Sequence, residues 1–131
     1  MKKLIFTLLC SVLLVATAFA QTSFSCVYRE YCVWSDYKKK FVDCEGYEES
    51  SLFVINDNET IFTHTIDEMK SSYYVTSREY DAKEEIWSYQ VTSDVGNKYL
   101  YVIDPKNKQI RGFYLRDGKT MLVVFTIKAI F

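Results

Sequence analysis

SLFVINDNETIFTHTIDEMKSSYYVTSREYDAKEEIWSYQVTSDVGNKYLYVIDPKNKQIRGFYLRDGKTMLVVFTIKAIF, residues 51–131, is the stretch that decides the fold. Short runs rich in β-branched and aromatic residues (52–56, 60–66, 73–77, 86–92, 99–103, 110–115 and 121–131) alternate there with polar turn clusters. Each run suffices for one strand, so the pattern predicts an antiparallel meander. Asp117-Gly118 is the strongest turn signal, because both residues tolerate the positive φ of a tight hairpin. Asn56-Asp57-Asn58-Glu59, Val95-Gly96-Asn97 and Asp104-Pro105-Lys106-Asn107 come close to it. Only residues 66–72 could turn helical, for two turns at most, too few to stand alone.

Period-two alternation assigns the faces. Trp87, Tyr89 and Val91 share one side of their run, Phe62, His64 and Ile66 one side of theirs, and Tyr99, Tyr101 and Ile103 likewise. Leu100 and Val102 make the opposite side apolar as well, and so do Leu122 and Val124 in the last run. Strands apolar on both sides belong in the middle of a sheet or across a closure. The expected fold is therefore all-β: a small antiparallel meander of eight or nine short strands, closing as a barrel or packing as a two-layer sandwich. In strand count and hairpin order the stretch resembles the calycin-type meander barrels, without carrying a diagnostic motif.

Upstream, Lys2 and Lys3, the apolar residues 4–15 and Ala18-Phe19-Ala20 read as a cleavable signal peptide with cleavage after Ala20. The apolar run is short of the ~20 residues of a membrane-spanning helix. Residues 21–131 then form one domain, periplasmic or extracellular, with fourteen basic and seventeen acidic residues and a formal charge of −3. Such mild, mixed charge argues against nucleic acid as a partner. Within the domain, residues 26–34 read as a strand weakened by Arg29-Glu30, residues 36–40 as a charged turn, and residues 45–50 as a solvated connector. The acids Glu45, Glu48, Glu49, Asp57, Glu59, Asp67, Glu68, Glu84 and Glu85 all fall in such connectors, and none forms a catalytic pair.

Three cysteines follow the cleavage point: Cys26, Cys32 and Cys44. Export favours a disulfide, and an odd count leaves one thiol over. Cys26 and Cys32 lie along one strand, roughly 20 Å apart if extended, which is too far to bridge. Cys32 and Cys44 sit almost symmetrically about the charged turn, so Cys32–Cys44 is expected with Cys26 left over. Cys26–Cys44 is the competing pair. The three cysteines and His64 match no zinc module in spacing, and no metal or cofactor is expected.

His64, the one histidine, has no nucleophile or carboxylate beside it in sequence and reads as a partly buried strand residue with a hydrogen-bond partner. The mid-strand aromatics Phe62, Tyr73, Trp87, Tyr89, Tyr99, Tyr101 and Tyr114, with His64, could line a ligand pocket, and they suit a packed core equally well. Lys38-Lys39-Lys40 beside Trp34 and Tyr37 could hold an anionic glycan, lipid headgroup or protein, or simply guard a hairpin tip against edge pairing. The expected function is that of an exported, non-enzymatic domain binding a small apolar ligand or a macromolecular partner. Two alternatives are a small outer-membrane barrel, suggested by the alternating apolar residues before the final Phe131, and redox chemistry at the leftover thiol.

Overall fold

The computed structural model describes residues 21–131, and the expected signal peptide, residues 1–20, lies outside the described residues. Eight strands run in order: β1 (Thr22–Ser35), β2 (Lys40–Ile55), β3 (Ile61–Ile66), β4 (Met69–Asp81), β5 (Ile86–Ser93), β6 (Lys98–Asp104), β7 (Gln109–Arg116) and β8 (Lys119–Ile130). Each pairs antiparallel with its neighbours in sequence, and β1 also pairs with β8, so the sheet closes into a barrel. Of the two architectures compatible with the pattern, the barrel is the one formed. Closure leaves β1–β8 no open seam, with Met121, Val123, Phe125 and Ile127 of β8 buried inside and Leu122 and Val124 half-buried on the outer face.

Hairpin chemistry sets the register. Asp117 (φ 51°) and Gly118 (φ 77°) form the two-residue turn that leaves Arg116 opposite Lys119. Asp67 (φ 52°) and Glu68 do the same between Ile66 and Met69, so residues 66–72 form a hairpin, not a helical turn. The other correction is at residues 45–50. They are not a connector but the middle of β2, with Tyr47 opposite Arg29 and Glu48 opposite Tyr28. Residues 78–81 likewise belong to β4, facing Trp87 and Tyr89 of β5. Glu45, Glu48 and Glu49 therefore lie on a strand, not in a loop.

Cys32 and Cys44 are joined by a disulfide across the β1–β2 hairpin, with Cα atoms 4.2 Å apart. The bond straddles the irregularity in the ladder between Tyr31 and Val33. It closes a loop of twelve residues. Beyond it, Trp34 packs edge-on against Phe41 (5.1 Å) and Phe41 leans on Phe113 of β7 (6.0 Å). Replacing both cysteines with serine is expected to lower stability by ~2–3 kcal/mol through the entropy returned to the unfolded chain. Urea unfolding of the double variant checks this, and an unchanged midpoint would refute it.

The core fills the barrel. Phe24, Cys26, Phe53, Ile55, Phe62, Tyr89, Val91, Tyr101, Ile103, Ile110, Val123, Phe125 and Ile127 form one buried cluster. Gly112 sits where a Cβ would come within 2.9 Å of Tyr101 and of Val123, so glycine makes room there for the Tyr101 ring.

Candidate functional site

The inward face is divided along the barrel axis. Across the middle lies an aromatic plug in which Phe62 stacks on Tyr101 (4.8 Å) and Phe53 meets Phe62 (5.4 Å) and Phe125 (4.8 Å). All four rings are buried. The aromatics expected to line a single wall thus fall into three groups. Phe62 and Tyr101 are the plug, His64, Tyr73, Tyr99 and Tyr114 lie on one side of it, and Trp87 and Tyr89 on the other.

On the first side the interior is polar. Arg29 projects inward from β1, ion-paired with Glu49 (2.6 Å), hydrogen-bonded to the Tyr31 hydroxyl, and held over the Phe125 ring (4.9 Å). His64 lies flat on Phe53 (4.0 Å) and edge-on to Phe125 (5.0 Å), with no hydrogen-bond partner for Nε2. The expected partner is therefore missing on that nitrogen. Burial, reinforced by the nearby Arg29 charge, lowers its pKa to about 4, so the ring is neutral at physiological pH. Tyr73, Tyr99 and Tyr114 continue this layer, with ring centroids 5.2 and 5.7 Å apart along the row. Burial raises the hydroxyl pKa of Tyr73 and Tyr114, which therefore stay protonated and able to donate.

On the other side is a recess of about 300 Å³ at the barrel mouth. Phe24, Ile55, Trp87, Tyr89 and Ile103 form its apolar floor and walls, and Asn56, Asp57 and Glu59 its rim. Strand alternation points Trp87 and Tyr89 into the mouth, and Tyr80 backs Trp87 with its ring centroid 4.4 Å away. The rim is held in place from several directions. Asn56 Oδ1 accepts from the backbone N–H of Thr60 (2.8 Å) and Ile61 (2.9 Å), closing the turn. The Tyr89 hydroxyl donates to Glu59 Oε1 (2.8 Å), and Arg78 pairs with the same carboxylate. Buried Tyr89 keeps its proton, its pKa pushed up by desolvation despite Arg78. The geometry offers a preorganised aromatic surface with polar groups on one edge only, an arrangement that suits a small ligand with an apolar body.

A second depression, of about 490 Å³, lies near the opposite end among Leu100, Phe113, Leu115, Tyr99 and Tyr114. It draws on residues from both faces of the sheet, with Thr76, Gln90, Thr92, Lys98 and Thr120 also in the lining and Thr76 Oγ1 donating to the Gln90 carbonyl (3.1 Å).

The remaining candidates separate as follows. Cys26 is buried, and desolvation raises its thiol to about 12, far from the thiolate that redox or nucleophilic chemistry requires. Glu30 lies beside Cys32 and Cys44 within the span of a metal site, but both sulfurs are committed to the disulfide. Of the lysine-aromatic patch, Trp34 is tied into the hairpin by Phe41 and by its Nε1–H donated to Asp36 (3.1 Å), whereas Tyr37, Lys38, Lys39 and Lys40 are exposed at the tip. Sequence reasoning missed the Arg29–Glu49 pair, since the partners lie twenty residues apart and one of them stands in an acid-rich run.

Comparison of the chain with family models, with curated proteins and with solved structures gives no match.

Proposed function

We propose that this protein is a non-enzymatic binding protein that takes a small, flat, apolar ligand at its barrel mouth, against Trp87 and Tyr89. The observation carrying this reading is the recess of about 300 Å³ with an aromatic floor and a hydrogen-bonded rim, closed below by the plug. The volume lies at the lower end of small-molecule sites, which matches a ligand of one or two fused rings rather than a long chain. The Cys32–Cys44 disulfide and the expected signal peptide favour capture outside the cytoplasm. The buried, neutral His64 and the desolvated Cys26 thiol favour binding over catalysis. The buried aromatic plug across the barrel suits a membrane-spanning barrel poorly, since such barrels enclose a polar lumen.

The test uses tryptophan fluorescence. Only Trp34 and Trp87 are present. In a Trp34→Phe background, titration with a neutral fluorescent naphthylamine is expected to quench Trp87 and to saturate with micromolar affinity. Trp87→Ala is expected to weaken probe binding at least tenfold, equivalent to ~1.4 kcal/mol. Binding indifferent to Trp87→Ala, or none at all, would overturn the assignment.

A further inference from the structure

The up-and-down connectivity gathers the β1–β2, β3–β4, β5–β6 and β7–β8 turns at the end of the barrel opposite the mouth. At each of these four tips one large apolar side chain stands in water: Tyr37 (95% exposed), Met69 (78%), Val95 (77%) and Leu115 (73%). They are the four most exposed large hydrophobics among the described residues, and the next, Phe131 at 70%, is at the chain terminus. Single exposed apolar residues are ordinary on a protein surface. One per tip, all at one end, is a pattern.

The β1–β2 tip reaches furthest, since residues 40–50 of β2 have no partner on β3. Val33 is opposite Met121, Arg116 opposite Lys119, Thr92 opposite Lys98 and Tyr73 opposite Ser93, so each hairpin runs only a few residues past these rungs. Basic residues flank every apolar tip: Lys38, Lys39 and Lys40, then Lys70, Lys98, and finally Arg116 and Lys119. None of these seven belongs to an ion pair among the described residues, where the pairs formed are those of Arg29, Arg78, Lys106 and Arg111. Arg116 and Lys119 face each other across the ladder, a like-charge contact that an external anion would relieve. Six acids share this end (Asp36, Asp43, Asp67, Glu68, Asp94 and Asp117), so against its seven basic residues it keeps a net charge of +1. Around the mouth the balance reverses, with Asp57, Glu59, Glu79, Asp81, Glu84, Glu85 and Asp104 against Arg78, Lys83, Lys106, Lys108 and Arg111.

We propose that this end of the barrel docks on an anionic lipid bilayer, the four tip side chains entering the headgroup boundary while the seven basic residues sit among the phosphates. The apolar residues stand on separate tips around a rim instead of forming one continuous patch. A fluid surface accepts separate insertions, whereas a folded partner would need contiguous area. Lysine and arginine suit this placement because their stems can lie in the apolar layer with the charge outside it. The surface is at the far end from the mouth, so docking leaves the ligand recess free, and the two assignments stand or fall separately.

Residues 21–131 are mixed with vesicles of phosphatidylcholine alone or with phosphatidylglycerol added, and bound protein is separated by flotation. Binding to the anionic vesicles is expected to exceed that to the neutral ones at least tenfold and to weaken as salt rises. The combined change Tyr37→Ser, Met69→Ser, Val95→Ser and Leu115→Ser is expected to reduce it more than tenfold, while Phe131→Ser at the other end leaves it unchanged. A readout on the unaltered protein guards against misfolding of the variant: brominated lipid is expected to quench Trp34, three residues from Tyr37, and to leave Trp87 bright. Equal binding to neutral and anionic vesicles, full binding by the fourfold variant, or quenching of Trp87 in place of Trp34 would each overturn the proposal. So would failure to bind lipid at low salt, the outcome expected if the tips dock on a protein.

Discussion

Glu49→Ala is expected to cost ~3–5 kcal/mol, the typical penalty for stranding one partner of a buried ion pair. The side chains of Arg29 and Glu49 are only 11% and 17% exposed, and their charged atoms meet at 2.6 Å. What remains around the guanidinium is the Tyr31 hydroxyl and the Phe125 and Tyr31 ring faces. These stabilise a cation but do not neutralise it. A guanidinium cannot escape by losing its proton, so the cost falls on the fold. The paired charges themselves contribute little net stability, because desolvating both offsets most of their attraction. The double change Arg29→Met with Glu49→Leu is accordingly expected to return to within ~1 kcal/mol of the parent, since apolar replacements of a buried pair are often neutral or better. Urea midpoints of the two single variants and the double variant complete the cycle. A Glu49→Ala cost under ~1 kcal/mol would show that water reaches Arg29 and that the pair is not buried in the sense required.

Acidification from pH 7 to pH 4 is expected to remove ~3 kcal/mol of stability through His64 alone, the worth of a fall from the ordinary 6.5 to about 4. The sign follows from proton counting. Below pH 6.5 the unfolded chain protonates this imidazole while the folded chain, with the ring desolvated against Phe53 and near Arg29, does not. The stabilisation is complete above pH 6.5, declines as pH falls, and levels off once the folded ring also protonates near pH 4. Asp104 acts in a lower window. Burial alone would raise its pKa, but hydrogen bonds from Asn107 and Arg111 outweigh that and hold it below 3.8, so its contribution is lost as pH falls below the usual carboxylate value. His64→Phe keeps a ring to stack on Phe53 and removes the proton site. Its urea midpoint is expected to stay nearly level between pH 7 and pH 5, where the parent declines. A parent midpoint flat over that range would refute the assignment.

The half of the fold from β5 onward was legible because its strands obey local rules. Trp87, Tyr89 and Val91 alternate cleanly, and Asp117-Gly118 can hardly do anything but turn. Cys32–Cys44 followed from symmetry about a turn. Legibility failed where the determining partner lies far along the chain. Residues 45–50 look like a loop because they are acidic and contain Gly46, yet β1 supplies a ladder for them and Arg29 draws Glu49 inward. Arg29-Glu30 weakened the reading of β1 for the same reason. The grouping of the aromatics was legible only as a shared face. Which of them plug the barrel and which open onto its mouth depends on strand stagger, and no single strand's alternation encodes that. The polarity of the two ends escaped notice because charges on seven separate turns look evenly mixed when read in a line.

Closure of the barrel has a consequence for how the molecule comes into being. Residues 24–33 are bonded to residues 121–130, and Ser23 and Phe131 exchange backbone hydrogen bonds of 2.8 and 2.9 Å. The earliest part of the domain to be synthesised therefore waits for the last before its outer edge is covered. A nascent chain held at the ribosome stays open until its final strand is free. Loss of even a few C-terminal residues would expose the edge of β1 and invite pairing between molecules.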